Sequence, residues 1–185
     1  LTLVTIGPQT NAALALAKEP ALARPLHQVV VMGGVCRCGP DGLAMRFNEH
    51  NVTCDPEAAS IVFRCGAPIV MVGLDVTTKV FISAEDARAM RDCGDPLRLA
   101  LADQLERYLR ANNRQKTPMH DPLALSHVVR PGFLRLQPCE VLVETRSEVA
   151  TGATWVRYRE GSNTQVAVDV EAAGFEGFLR STLCS

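Results

Sequence analysis

The chain has 185 residues, 19 basic and 20 acidic, with a formal charge of −1; 47% of it is hydrophobic and only 5% aromatic. That length fits one domain with a sizeable core, and the composition excludes disorder. Charges of both signs are mixed along the chain, which excludes an electrostatic footprint for nucleic acid or an anionic membrane and leaves a small neutral or polar ligand as the expected partner.

"LTLVTI" opens the chain as an apolar run of strand type, and "GPQTNAALALAKEP" follows as turn and helix with Thr10 or Asn11 near the helix start. "LHQVVVMGG" repeats the pattern, its β-branched run reading as a fully buried strand that ends in Gly33 and Gly34. A third unit has Asp55 as N-cap, Pro56 at the first helical position and "EAASIVFRCG" as helix, and leads into the strand "PIVMVGL" and Asp75. From Ser83, with Asp86 as capping-box partner, a helical stretch resumes after Gly94 and Pro96 and runs to about Asn113, with Leu97, Leu101, Leu105 and Leu109 as its apolar stripe. "HDPLALSHVV" starts the next helix, with Asp121 as N-cap and Pro122 at the first helical position. "CEVLVETR", "TWVRYR" and "TQVAVDV" read as later strands of more alternating type, and "EAAGFEGFLRSTL" as a closing helix.

Alternating strands and helices predict an α/β fold. Its sheet is open, mostly parallel and Rossmann-like, with helices on both faces and a C-terminal antiparallel extension, built as a single domain over residues 1–185. Ligands of such sheets lie beyond the carboxyl ends of the strands, so the loops after Ile6, Met32 and Leu74 are the ones to search.

No apolar run approaches the roughly 20 residues of a membrane span. Seven cysteines are an odd number for a disulfide framework, and reduced thiols in a cytoplasmic protein are expected. Cys36 and Cys38 sit near His50 and Cys54, but one C-x-C without a second pair is a weak zinc signature. The start at Leu1, inside a buried-type strand, suggests a fragment or processed chain.

The stretch from Gly33 to Cys54, about 22 residues without periodicity, reads as a binding loop or lid. If its backbone is extended, Glu49 and Asn51 point the same way and offer a carboxylate and an amide to a polyhydroxylated ligand; a solvated loop is the competing reading. His120 handles protons near neutral pH and Asp121 can bind a hard cation, while a helix cap and a structural histidine account for the same two residues. Trp155, in an alternating strand, reads as a partly buried packing residue rather than a base-stacking one.

Five separated segments, "LVTIGPQTNAALA", "VVVMGG", "EHNVTCDPEAA", "VGLDVT" and "HDPLAL", occur in the order and approximate spacing of the inosine-uridine preferring nucleoside hydrolases, which the chain resembles over essentially its whole length. The resemblance implies calcium-assisted hydrolysis of the N-glycosidic bond of ribonucleosides, in a homo-oligomer, dimer or tetramer. It implies calcium ligation by the main-chain carbonyl of Ile6 and the carboxylate of Asp121, ribose binding by Glu49 and Asn51, and assistance to the departing base by His120. It also implies an Asp-rich D-x-D-x-G-x-D-D motif roughly a hundred residues before the equivalent of Leu1, carrying the remaining calcium ligands and the general base, so that this chain alone holds part of a site and is expected to be inactive. The family's asparagine ahead of the glutamate is not evident in "GPDGLAMRFNEHN"; Asn48 is the alternative. A non-catalytic sugar-binding or interaction protein is the rival reading, and a dinucleotide oxidoreductase is disfavoured because no G-x-G-x-x-G follows a buried strand.

Overall fold

A computed structural model describes residues 1–36 and 48–184. The strands β1 (Thr2–Thr5), β2 (Gln28–Met32) and β3 (Ile69–Val72) run parallel and in register, joined by α1 (Thr10–Lys18) with a 3₁₀ turn, and by α2 (His50–Cys54) and α3 (Pro56–Phe63). After β3 come α4 (Leu74–Thr77), the short strand β4 (Phe81–Ser83), α5 (Ala84–Cys93), α6 (Pro96–Ala111), β5 (Lys116–Pro118) and α7 (His120–Val129). The chain closes with β6 (Leu134–Val143), β7 (Thr154–Tyr158), β8 (Thr164–Val170) and α8 (Ala172–Cys184).

The main sheet has the order β1-β2-β3-β8-β6-β7, and a separate antiparallel pair joins β4 to β5. Parallel pairing from β1 to β8, followed by antiparallel β6 and β7, is the mixed architecture expected from the sequence. β8 departs from its alternating appearance: it lies inside the sheet beside β3, with Val166, Ala167 and Val168 all buried.

Period-two alternation sorts the buried strands between two cores. Val29, Val31, Ile69 and Met71 face α1 and α3, packing with Ala13, Leu16, Ala58 and Val62. Val30, Met32, Val70 and Val72 face the other way, toward Val76 of α4, Leu123 of α7 and Phe175 of α8. The strands therefore read as continuous apolar runs because both faces are covered.

The caps at α3 and α5 follow the sequence. Asp55 accepts from Ala58 N at 3.0 Å with Pro56 at the helix start, and Ser83 and Asp86 form a complete capping box. The leucine stripe of α6 departs from expectation. Leu109 and Ala102 are buried, whereas Leu97 is 69% exposed and Leu101 39%. A four-residue spacing drifts about 40° per step around a helix of 3.6 residues per turn, so one stripe cannot face α5 along its whole length.

Trp155 is also not packed. It is 58% exposed, because β7 is the edge strand and its outer face is uncovered. Among the described residues, no helix is long and apolar enough to cross a membrane.

Candidate active site

The β2 end is built around a close backbone approach. Gly34 has φ +83°, and its carbonyl accepts from Leu74 N at 2.9 Å, tying the β2 exit to the β3 exit. A Cβ at Gly34 would overlap the Met71 methyl and press on Thr154, so only glycine fits there. Thr154 continues the clamp, its hydroxyl accepting from Val35 N at 2.9 Å and donating to Val35 O at 2.7 Å. Asp75 accepts from Cys36 N at 2.8 Å.

Glu49 lies against this frame and is 4% exposed. The expected extended alternation with Asn51 is replaced by a helix start. Glu49 is the N-cap of α2, its carboxylate accepting from Asn51 N at 2.8 Å and Val52 N at 3.1 Å. A third donor, Gly34 N, reaches the same carboxylate at 3.1 Å. Three backbone N–H groups leave about one of a carboxylate's four acceptor positions unused. Asn51 is held by donation of its amide to Met32 O at 3.2 Å, so the pair does share one side, through a cap rather than a strand. Asn48 forms an isolated bridge with Ala153, and its amide donates to Thr151 O.

α7 packs across β1 and β2 and begins two residues earlier than expected. Met119, not Asp121, occupies the N-cap position, and no side chain caps the helix. Pro122 remains inside the first turn, where backbone N–H groups need no intrahelical acceptor. The Asp121 carboxylate is therefore not consumed by capping, while still sitting at the favourable positive end of the helix dipole.

His120 is half-buried, and its Nδ1 lies 2.7 Å from the hydroxyl of fully buried Thr77 in α4. Burial pushes the imidazole below its ordinary value, partly offset by the charges of Asp121 and Glu49. Burial pushes the Asp121 carboxyl up; His120 opposes this and Glu49 reinforces it. These mutual influences bring Glu49, His120 and Asp121 into one electrostatic neighbourhood, although Glu49 is distant in sequence.

His120 also lines a cavity of about 650 Å³, together with Leu74, Thr78, Gln104, Tyr108 and Arg114. Asp121, Glu49 and Asn51 do not line it. One side of the site thus carries buried carboxylate and amide groups, and the other an open, partly apolar recess. Sequence reasoning missed Thr77, Gln104, Tyr108 and Arg114. Thr77 stood within "VGLDVT", but its bond to His120 is a contact between distant segments that no local pattern encodes.

Ile6, half exposed, follows directly after β1, so its carbonyl belongs to the same end of the sheet. The Cys36–Cys38–His50–Cys54 grouping resolves only in part. Cys38 lies outside the described residues; Cys54 Sγ is 3.6 Å from His50 Nε2 on the exposed side of α2. Among the described residues, no three His, Cys, Asp or Glu side chains gather as a metal-binding group.

Polar groups gathered beyond the carboxyl ends of a parallel sheet, next to a cavity, are the arrangement in which open α/β sheets generally take up small ligands. The sequence pattern of the inosine-uridine preferring nucleoside hydrolases matches residues 1–177, and the chain belongs to that family. It is 37% identical, over 99% of its length, to the pyrimidine-specific ribonucleoside hydrolase RihA of Citrobacter koseri, and 36% identical to RihA of Salmonella typhi. The chain spans about 61% of the length of each of these relatives. Among solved structures, the purine-preferring ribonucleoside hydrolase from Gardnerella vaginalis superposes with a TM-score of 0.89 at 30% identity, over all of this chain and 60% of the other. The plant nucleoside hydrolase PpNRh1, at 24% identity and a TM-score of 0.83, shares the fold.

Proposed function

We propose that the chain forms the ribose-binding and leaving-group side of a ribonucleoside hydrolase, which cleaves the N-glycosidic bond to give ribose and a free nucleobase. The observation that carries this reading is the convergence of Glu49, Asn51, Asp121 and His120 at one end of the sheet, with only His120 reaching the adjoining cavity. The relatives are named for pyrimidine specificity in one case and purine preference in another, so the shared ribose, not the base, anchors the proposal.

In this reading the unused acceptor position of Glu49 and the Asn51 side chain meet ribose hydroxyls. Both are immobilised by backbone bonds, which keeps them from reorganising as the sugar gains oxocarbenium character. His120, oriented by Thr77, donates toward the departing base in the cavity. Burial lowers its pKa, which favours the neutral ring over a standing imidazolium and makes the protonated ring a stronger acid toward the base.

The donor chemistry fits a hard cation in kind. Asp121 is an uncapped carboxylate, destabilised by burial and by Glu49, and a cation beside it would relieve both effects. Asp121 and the Ile6 carbonyl are the groups that would hold calcium, which favours oxygen ligands. When bound, calcium supplies ribose orientation and a lowered pKa for the attacking water. With no three-residue cluster among the described residues, the other ligands come from beyond them in this reading. The enzyme is further proposed to be cytoplasmic and to work as a dimer or tetramer.

The test is ribose release from inosine and uridine by the full-length protein, with and without a calcium chelator. Release that stops on chelation and returns with calcium supports the proposal. Chelator-insensitive release would remove the metal from it, and ribose binding without turnover would replace it with the sugar-binding alternative.

A further inference from the structure

Two cysteines outside this site meet where α8 docks on the α5–α6 turn. Cys93 is in the last turn of α5 and Cys184 in the last turn of α8, and the Cys93 thiol lies 3.5 Å from the Cys184 carbonyl. Arg98 of α6 donates from Nε to Leu183 O at 2.5 Å and pairs with Asp95 at 2.5 Å. Its guanidinium is within electrostatic range of both thiols. Cys93 is exposed, whereas Cys184 is half-buried and packs beside Met90 and Ala102. Both are free thiols, and Cys184 lies beyond the residues matched by the family pattern.

We infer that Cys93 and Cys184 form a thiol–disulfide modification site, at which oxidation by a low-molecular-weight disulfide staples α8 to the α5–α6 hairpin. The order of events follows from exposure. Cys93, the solvent-exposed thiol, attacks one sulfur of the oxidant as its thiolate, forming a mixed disulfide and releasing one small thiolate. Burial pushes the Cys184 thiol up, with the charge and hydrogen bond of Cys93 adding to the effect and Arg98 opposing it. Cys184 is thus the slower, resolving thiol. After losing its proton to solvent it attacks the Cys93 sulfur, closing the protein disulfide and releasing the second small thiolate. One small disulfide is reduced to two thiols as two protein thiols are oxidised.

The bridge closes a loop of about 90 residues, long enough for a large constraint on the unfolded chain. It also fixes the hairpin whose α6 contributes Gln104 and Tyr108 to the cavity beside His120.

The experiment treats the full-length protein with glutathione disulfide, then maps disulfides by non-reducing tryptic digestion and mass spectrometry. The expected product joins the peptide Asp92–Arg98 to the peptide beginning at Ser181, and the oxidised protein melts several degrees higher. Cys184→Ser should instead accumulate a stable glutathione adduct on Cys93, while Cys93→Ser should lose the fast reaction. Absence of the cross-link under conditions that modify exposed Cys54 would overturn the inference. So would pairing of Cys93 with another cysteine, or a Cys184→Ser protein that traps no adduct.

Discussion

Thr77 gives the clearest case of a residue whose value lies in what it holds. Its hydroxyl is fully buried and 2.7 Å from His120 Nδ1, so Thr77→Val keeps the packing volume and removes the partner. We expect kcat for inosine to fall about tenfold to a hundredfold with KM little changed, and the acid limb of the pH profile to move as the ring reorients. A variant with wild-type kcat and pH profile would show that Thr77 only packs. Glu49→Ala should act on stability as well as on ribose binding. It strands three backbone N–H groups in a nearly buried position, and a loss of about 2–4 kcal/mol in denaturant unfolding is expected. The histidines set a pH dependence. Burial lowers both His120 and His127, so the unfolded chain takes up protons first as pH falls through about 6.5, and stability should decline below that value. Replacing both histidines with glutamine should flatten the decline between pH 7 and 5.5. Asp121 was legible as a polar residue at a helix mouth, but its exact place was not. "DP" is a strong N-cap signal, and the helix nevertheless starts at His120. Glu49 was illegible as a cap because glutamate is not among the favoured N-cap residues.

Elements were easier to read than contacts between them. Ser83 and Asp86 declare a capping box in four residues, and Ser83→Ala should cost about 1 kcal/mol, measured as a shift in the denaturant midpoint at unchanged slope. Asp55 and Pro56 do the same for α3. The runs through Val29–Val31 and Ile69–Val72 announce buried parallel strands because β-branched residues repeat without polar interruption. Short β4 and β5 carry no such signal, since three residues have no measurable period. Leu97 and Leu101 misled because spacing alone does not reveal which turns of a helix find a neighbour. Gly34 was visible as part of a Gly-Gly pair, but the reason for it lies in Met71 and Thr154, which only the folded sheet brings there.

On the scale of the molecule, the strand–helix alternation was enough to single out the carboxyl ends of β1, β2 and β3, where the fold gathers Ile6, Gly34, Glu49 and Asp75. The later strands were recognised without their order, because insertion of β8 beside β3 is a choice between topologies with the same local pattern. The site has the same two levels. Its residue types were legible, and the resemblance implied a sugar side and a base side, whereas the placement of His120 on the cavity, with Glu49 and Asp121 away from it, needed the fold; in the proposed function the cavity takes the base and the other side the sugar. That division is the central claim, and one comparison tests it most directly. His120→Ala is assayed for hydrolysis of inosine and of p-nitrophenyl riboside, whose leaving group departs without a proton. The division predicts a loss of about a hundredfold or more on inosine and near-normal turnover of the nitrophenyl substrate. Equal loss on both would contradict it.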